Sequence, residues 1–187
     1  MHTLQKRYNI GVMTTDEGKA MHLYDVSIAP LLRNLQNLKH ILQQGELYAE
    51  QKKVAPEVLL NSRLSVDMYP LTKQVQLVTD MSKGAGARLA GLEIPQYADD
   101  ETSFDMLYAR IDKTIAFLEQ IQPAQLAGAE DKEVVLTIRK VDLTFSGLDY
   151  LQKWAMPNVY FHTTTAYNIL RHLGVPLGKT DYLGQKR

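Results

Sequence analysis

Apolar side chains recur at helical spacing in four separate stretches of this 187-residue chain. The clearest stripe contains Ile28, Leu31, Leu35, Leu38 and Leu42, and intervals of three and four residues place all of them on one face of a helix. Three further stripes share this spacing: Leu71, Val75, Val78, Ala85 and Leu89; Phe104, Leu107, Ile111, Ile115 and Leu118; and Leu148, Leu151, Ala155, Val159, Ala166, Ile169 and Leu173. Because each helix must bury its stripe against the others, the sequence predicts an all-α fold, an antiparallel bundle of four helices.

The period of the apolar pattern changes to two between the third and fourth stripes. Val141, Leu143 and Phe145 alternate with polar residues, and residues 133–138 are rich in β-branched side chains. This pattern predicts a small β-hairpin between helices 3 and 4, with its turn near Arg139 and Lys140. The turn lacks the Asn-Gly or Asp-Gly pair that favours a two-residue hairpin loop.

The composition is that of one folded domain. Hydrophobic residues make up 45% of the chain, which is enough for a single core. Residues 1–20 are polar and show no period, so we expect a loose N-terminal extension followed by a single domain over residues 21–187.

Charge and cysteine content exclude several functions. Lys plus Arg and Asp plus Glu each number 21, so no net charge attracts nucleic acid or an anionic membrane. The chain has no Cys, which rules out disulfides and thiolate ligands and leaves N and O donors for any metal. Neither a signal peptide nor an apolar run of about 18 residues, as a membrane span needs, is found. We therefore expect a soluble, cytoplasmic protein with no nucleic-acid or membrane partner.

Two polar residues of the fourth helix, Asn158 and His162, fall on or beside its apolar line. Burying such a group without a partner costs about 1–3 kcal/mol, so each needs a polar neighbour, a ligand or a metal. For Asn158, beside Pro157, a structural role is favoured, in which its amide bonds the carbonyl that proline leaves free. His162 is interpreted either as a satisfied core histidine or as part of a site.

Asp67 lies just before the second helix, whose first turn contains Pro70. It is interpreted either as the helix N-cap or as an inward-facing carboxylate that ligates a metal or fixes the tautomer of His162. In a metal-free pair the carboxylate would favour the imidazolium form of His162 while burial would oppose it. Three neighbouring residues are pocket candidates: Tyr69, Tyr160 and Thr165.

Five segments resemble a bacterial domain-of-unknown-function family, number nineteen-ninety-three, which is grouped with the DinB/YfiT-like superfamily of metalloenzyme-type proteins. They are Leu59-Leu-Asn-Ser-Arg-Leu, Asp67-Met-Tyr-Pro-Leu, Lys83-Gly-Ala-Gly-Ala-Arg-Leu-Ala-Gly, Asn158-Val-Tyr-Phe-His-Thr-Thr-Thr-Ala-Tyr and His172-Leu-Gly-Val-Pro-Leu-Gly-Lys-Thr-Asp-Tyr-Leu-Gly. The resemblance covers about residues 21–184 and implies a DinB-like four-helix bundle, often dimeric.

The same resemblance implies a divalent-metal site, with zinc, nickel or manganese as the candidate ions. In the superfamily one His on the second helix and a His-x-x-x-His pair on the fourth form that site. Here Asp67 stands near the second-helix position, and the pair reads Asn158-x-x-x-His162. One imidazole of the three is retained.

Two functions follow as hypotheses, and neither names a substrate or an assigned catalytic residue. The first is a metal-free bundle that binds a small molecule or acts as a homodimeric interaction protein, with Asp67 and His162 as a buried structural pair. It is favoured because two candidate ligands are fewer than the three that catalytic zinc usually takes. The second is a DinB-type transferase or hydrolase in which a weakly held metal at Asp67 and His162 activates a water or a thiol.

Overall fold

Four helices have 16 residues or more, and the first three of them contain the first three apolar stripes. The fourth stripe extends beyond the last long helix: Leu148, Leu151 and Ala155 precede it and Leu173 follows it, and Leu148 is 37% exposed. The computed structural model describes residues 22–184, so the expected extension over residues 1–20 lies outside the described part, as do residues 21 and 185–187 of the expected domain. The α-helices in chain order are α1 (Leu23–Val26), α2 (Ile28–Lys52), α3 (Pro56–Leu60), α4 (Leu71–Ala90), α5 (Phe104–Glu119), α6 (Gly147–Asp149), α7 (Met156–His172) and α8 (Lys179–Leu183). A 3-10 turn (Pro123–Leu126), two strands, β1 (Glu133–Ile138) and β2 (Val141–Ser146), and a π-helical turn (Tyr150–Ala155) complete the fold.

The stripes of the long helices meet in one core. Helix α4 packs against α5 and α7, and α2 packs against α5 and α7. The five stripe residues of α2 have no exposed surface, and burying each Leu or Ile side chain contributes about 1.5–3 kcal/mol. The small residues 84–87 of α4 are also buried, and a Cβ added at Gly86 would lie 2.5 Å from a methyl carbon of Leu118. The mostly helical fold is therefore held together by close packing between helices.

The β-hairpin is confirmed, with the expected turn. Strands β1 and β2 pair antiparallel, and Ile138 lies opposite Val141 at the end of the ladder. The two loop residues, Arg139 (φ 50°) and Lys140 (φ 69°), both adopt left-handed backbone conformations. This is the backbone that a two-residue hairpin loop requires, and here it is adopted without Asn or Gly. Of the β1 side chains, Val134 and Leu136 face the core.

The start of α4 differs from the expected one. Pro70 occupies the N-cap position and Leu71 is the first helical residue. Asp67 lies in the turn before the helix, so its interpretation as the N-cap is wrong. The inward line of α4 begins at Leu71 and does not extend back to Asp67, because the four residues from Asp67 to Pro70 are not helical.

The helical segment that contains Pro157 is irregular just before the proline. The residues before it, Tyr150–Ala155, form a π-helical turn, and α7 begins at Met156. Proline lacks an N–H and cannot continue the regular hydrogen-bond ladder, so it is tolerated in the first turn of a new α-helical segment. The residues of α7 that follow, including Asn158 and His162, have regular α-helical structure.

Candidate functional site

His162 of α7 forms a hydrogen bond with Gln74 of α4, and its Nδ1 lies 2.7 Å from Gln74 Oε1. The Gln74 side chain is 1% exposed, and its Nε2 donates to the carbonyl oxygen of Tyr69 at 3.0 Å. Because the Tyr69 carbonyl only accepts, the amide nitrogen must face it and the amide oxygen must face the imidazole. His162 Nδ1 is therefore the donor, and in the neutral ring the lone pair lies on Nε2.

The imidazole is half-buried, and burial lowers the pKa of His162 below its ordinary value. The low-dielectric surroundings disfavour the charged imidazolium. A neutral amide, rather than the expected carboxylate, is the partner. The expectation that Asp67 would favour the imidazolium form is therefore wrong.

Asp67 is exposed, and its carboxylate oxygen Oδ1 accepts a hydrogen bond from Ser65 Oγ at 2.6 Å. This bond lowers the pKa of Asp67, because it stabilises the ionised carboxylate. The predicted buried pair of Asp67 and His162 is wrong, since Asp67 turns outward on the loop and Gln74 occupies the place opposite His162.

Asn158 has a structural role. Its half-buried side chain donates through Nδ2 to the carbonyl oxygen of Trp154 at 2.7 Å. The acceptor is the carbonyl four residues before Asn158. The carbonyl that Pro157 leaves free lies four residues before the proline, so the prediction that Asn158 bonds that carbonyl is wrong. With its amide nitrogen used inside its own helical turn, Asn158 supports the junction between the π-helical turn and α7.

The three pocket candidates have different surroundings. Tyr69 is 56% exposed, and its backbone carbonyl, not its ring, contacts the Gln74 amide. Thr165 is buried, and its hydroxyl donates to the carbonyl of Phe161 at 2.7 Å within α7. Tyr160 is 43% exposed and lines a cleft.

The donor set around His162 does not fit a tightly held metal ion. Gln74 of α4 faces His162 where the resemblance expects a ligand from the second long helix, and Asn158 takes the place of the first histidine of the pair. The set is one imidazole and two amides, whereas structural and catalytic zinc sites use thiolate, imidazole and carboxylate ligands. Within residues 22–184, no group of three or more His, Asp or Glu residues is arranged to hold a metal ion.

The position of Gln74 in the sequence indicates a buried polar residue, but the helical period does not identify its partner. Gln74 lies between Leu71 and Val78 at intervals of three and four residues, inside the apolar stripe of α4. A polar residue in a buried stripe needs a partner. That partner, His162, is 88 residues away in sequence.

A cleft with a volume of about 630 Å³ opens between the start of α2, α7 and α8. Asn34 of α2 lies at its base with 7% exposure. Its Nδ2 donates to Thr163 Oγ1 of α7 at 2.8 Å, so its Oδ1 is left as an acceptor. The apolar part of the lining comes from Ala29, Pro30 and Leu183.

The short C-terminal helix α8 forms one wall of this cleft. Asn37 Nδ2 donates to the carbonyl oxygen of Tyr182 at 3.0 Å, and Arg33 donates through Nη2 to the carbonyl of Leu183. The Tyr182 hydroxyl accepts from Thr164 Oγ1 at 3.2 Å. These bonds hold α8 on α2 and α7 and place the Tyr182 side chain at the cleft.

A second buried polar cluster surrounds Arg110 of α5, whose side chain is 2% exposed. It donates to Thr79 Oγ1 (2.7 Å), to the Ala98 carbonyl (2.7 Å), to Glu101 Oε1 (2.8 Å) and to Asp80 Oδ1 (2.8 Å). The Glu101 side chain is itself 7% exposed. Arg110 therefore ties the extended segment between α4 and α5 to both helices, which is a structural role.

Within residues 22–184, no helix has both the length and the apolar character needed to cross a membrane.

The described residues form a mostly helical fold with one hairpin, in which a histidine of the last long helix faces the second long helix. The comparisons with known proteins place this fold in the DinB-like class. The chain is similar to a DinB family member protein from Shewanella denitrificans, known from a crystal structure. The two are 40% identical over 88% of this chain and 93% of the other, with a TM-score of 0.83. The family model Domain of unknown function (DUF1993) matches residues 23–183, and the chain belongs to this family. None of the curated proteins matches it.

Proposed function

We propose that this protein is a DinB-type four-helix bundle that binds a small molecule without a metal, in the cleft between α2, α7 and α8. The observation that supports this is the cleft itself. Its volume, about 630 Å³, lies within the range of about 300–1,000 Å³ that ligand pockets occupy. Its lining combines apolar side chains with a few polar groups, which is the usual composition of such sites.

The polar groups of the cleft are held in place before any ligand binds. The hydrogen bond between Asn34 and Thr163 orients the amide at the base, and the bond from Asn37 to the Tyr182 carbonyl fixes the wall formed by α8. Because these side chains are already ordered, binding costs less conformational entropy.

Filling the cleft tests the proposal. N-phenyl-1-naphthylamine, an uncharged dye that fluoresces in apolar surroundings, should bind the full-length chain saturably. Ala29→Trp places an indole in the cleft and should weaken dye binding by about tenfold or more. The matched control is Ala116→Trp on the exposed side of α5, which should leave binding unchanged. Equal dye affinity of the two variants would contradict the proposal.

The alternative is a transferase or hydrolase that uses a divalent metal held by Asp67 and His162. It has less support, because the two side chains have different partners, Ser65 and Gln74. Metal analysis of untagged protein purified without chelator decides between the two. Near-stoichiometric zinc, nickel or manganese would overturn the metal-independent proposal.

We also propose that the protein forms a homodimer, as the family resemblance implies. Exposed apolar side chains near His162 support this. Phe161 is 58% exposed and its ring lies 5.2 Å from the His162 ring, centre to centre. Tyr69 is 56% exposed, and its backbone carbonyl accepts from the Gln74 amide that contacts His162. Exposed aromatic side chains of this kind are commonly buried in interfaces.

A further inference from the structure

We propose that the ligand of the cleft is a carboxylic acid with an apolar tail, and that Arg33, Tyr160 and Tyr182 hold its carboxylate. This inference rests on the proposed function, because it names the ligand class of the same cleft. The fold already uses some hydrogen-bond donors and acceptors of the cleft lining, and those that remain determine which ligand can bind.

Three side chains that line the cleft, Arg33, Tyr160 and Tyr182, have donors left for a ligand. The hydroxyl of Tyr182 accepts a bond from Thr164, so its own proton remains for another acceptor. Arg33 uses Nη2 for the Leu183 carbonyl, which leaves further N–H groups of its guanidinium. Burial raises the pKa of Tyr160, the neighbouring Tyr182 raises it further, and Arg33 lowers it. All three side chains line the same cleft, and the pKa of Tyr160 responds to both of the others.

The guanidinium of Arg33 and the two phenol hydroxyls each have an N–H or O–H group left to donate. Three such donors suit an oxyanion, which accepts hydrogen bonds. A carboxylate can accept from all three, because its two oxygens offer about four lone-pair sites. An amine would instead meet the cation of Arg33.

The charge of the cleft favours a monoanion. Its ionised lining residues are Asp25 and Arg33, and none of the ion pairs among the described residues joins these two. Arg33 therefore supplies one positive charge that a monoanion can pair with. The second charge of a phosphate dianion would be desolvated in the cleft without a cation, which costs free energy.

The apolar residues of the lining would contact the apolar tail of the proposed carboxylic acid. Ala29, Pro30 and Leu183 supply apolar surface, and each CH₂ buried there should raise affinity roughly fourfold. Octanoate, octan-1-ol and octylamine share one tail and differ in their head group, so they separate the contribution of the carboxylate from that of the cleft.

Isothermal titration of the full-length chain with these three compounds tests the inference. Octanoate should bind about tenfold more tightly than octan-1-ol, with octylamine weakest. Octyl phosphate should bind more weakly than octanoate. If octanol, octylamine or octyl phosphate binds as tightly as octanoate, the carboxylic-acid class is wrong and the cleft remains a binding site. If none of them binds and N-phenyl-1-naphthylamine also fails, the proposed function falls as well.

Three variants locate the carboxylate. Tyr160→Phe removes one hydroxyl and keeps the ring, and should weaken octanoate by about tenfold while leaving octan-1-ol unchanged. Arg33→Gln should weaken octanoate at least as much, whereas Asp25→Asn should strengthen it severalfold by removing repulsion. Tyr69→Phe, an exposed tyrosine outside the cleft, is the matched control and should change nothing. Octanoate affinity that is insensitive to Tyr160→Phe and Arg33→Gln would overturn the assignment.

Discussion

Replacing Gln74 by Met should destabilise the fold through two groups that lose their partner. The substitution replaces the amide side chain by a flexible apolar one of similar size at a position that is 1% exposed. It removes the acceptor of the His162 Nδ1–H and the donor to the Tyr69 carbonyl. An unsatisfied buried group costs about 1–3 kcal/mol. Because His162 is half-buried and water can reach part of it, we expect a total loss of about 1–3 kcal/mol, not twice that amount.

The assay is a double-mutant cycle measured by urea denaturation. Gln74→Met and His162→Phe should each lower the free energy of unfolding, and the double variant should lose about 0.5–2 kcal/mol less than their sum, because the two side chains share one hydrogen bond. The control cycle combines Asp67→Ala with His162→Phe. That pair should be additive within about 0.5 kcal/mol, since Asp67 bonds to Ser65 on the surface.

The opposite pattern would refute the reasoning. Additivity of Gln74 with His162, together with coupling of Asp67 to His162, would mean that the carboxylate and not the amide meets the imidazole. Gln74→Glu offers a second readout by nuclear magnetic resonance titration of His162. A carboxylate at this position should raise the pKa of the imidazole relative to the parent protein, because it stabilises the imidazolium.

Three further predictions concern stability and assembly. The free energy of unfolding should fall as the pH drops from about 6.5, the pKa of an unfolded histidine, toward the lower folded pKa of His162, because the unfolded chain binds the proton more readily. His162→Phe should remove this pH dependence in urea denaturation. Arg110→Met should lower the free energy of unfolding by about 3–5 kcal/mol, since it leaves buried Glu101 without its cation. The control Lys39→Met breaks an exposed ion pair with Asp112 and should cost about 1 kcal/mol or less, so equal losses in thermal denaturation would contradict the prediction. Light scattering at micromolar concentration should give the mass of a homodimer, and a monomer mass would contradict the proposed assembly.

Local sequence patterns were sufficient for the approximate positions of the long helices and of the hairpin. The stripe from Ile28 to Leu42 became a fully buried face of α2, and the alternation from Val141 to Phe145 became β2. The α2 stripe records which side of the helix faces the core, and that depends only on residues a few positions apart. In β2 the alternation gives the strand but not a buried face, because Leu143 and Phe145 are half-buried and Val141 is 60% exposed. The hairpin turn at Arg139 and Lys140 was also found, although its positive φ angles are adopted without the residues that usually favour them.

The interpretation of Asp67 was wrong because two neighbouring signals conflicted. An Asp shortly before an apolar stripe resembles an N-cap, but Pro70 follows it and the helix begins only at Leu71. A proline restricts the residue before it to extended backbone, so Tyr69 could not belong to the helix. Because the three residues between Asp67 and Leu71 are not helical, the helical spacing of the apolar stripe does not predict the direction of the Asp67 carboxylate.

The sequence by itself determined that His162 would lie on an inward face and would need a polar partner. Only the tertiary structure decided that the partner is Gln74, on a helix 88 residues earlier, and that Asn34, Tyr160 and Tyr182 from three different helices border one cleft. The physical reason is that periodicity reports the rotation of one helix relative to the core. Which side chain of another helix comes opposite depends on the axial offset and crossing of both helices, and the packing of the whole core sets these.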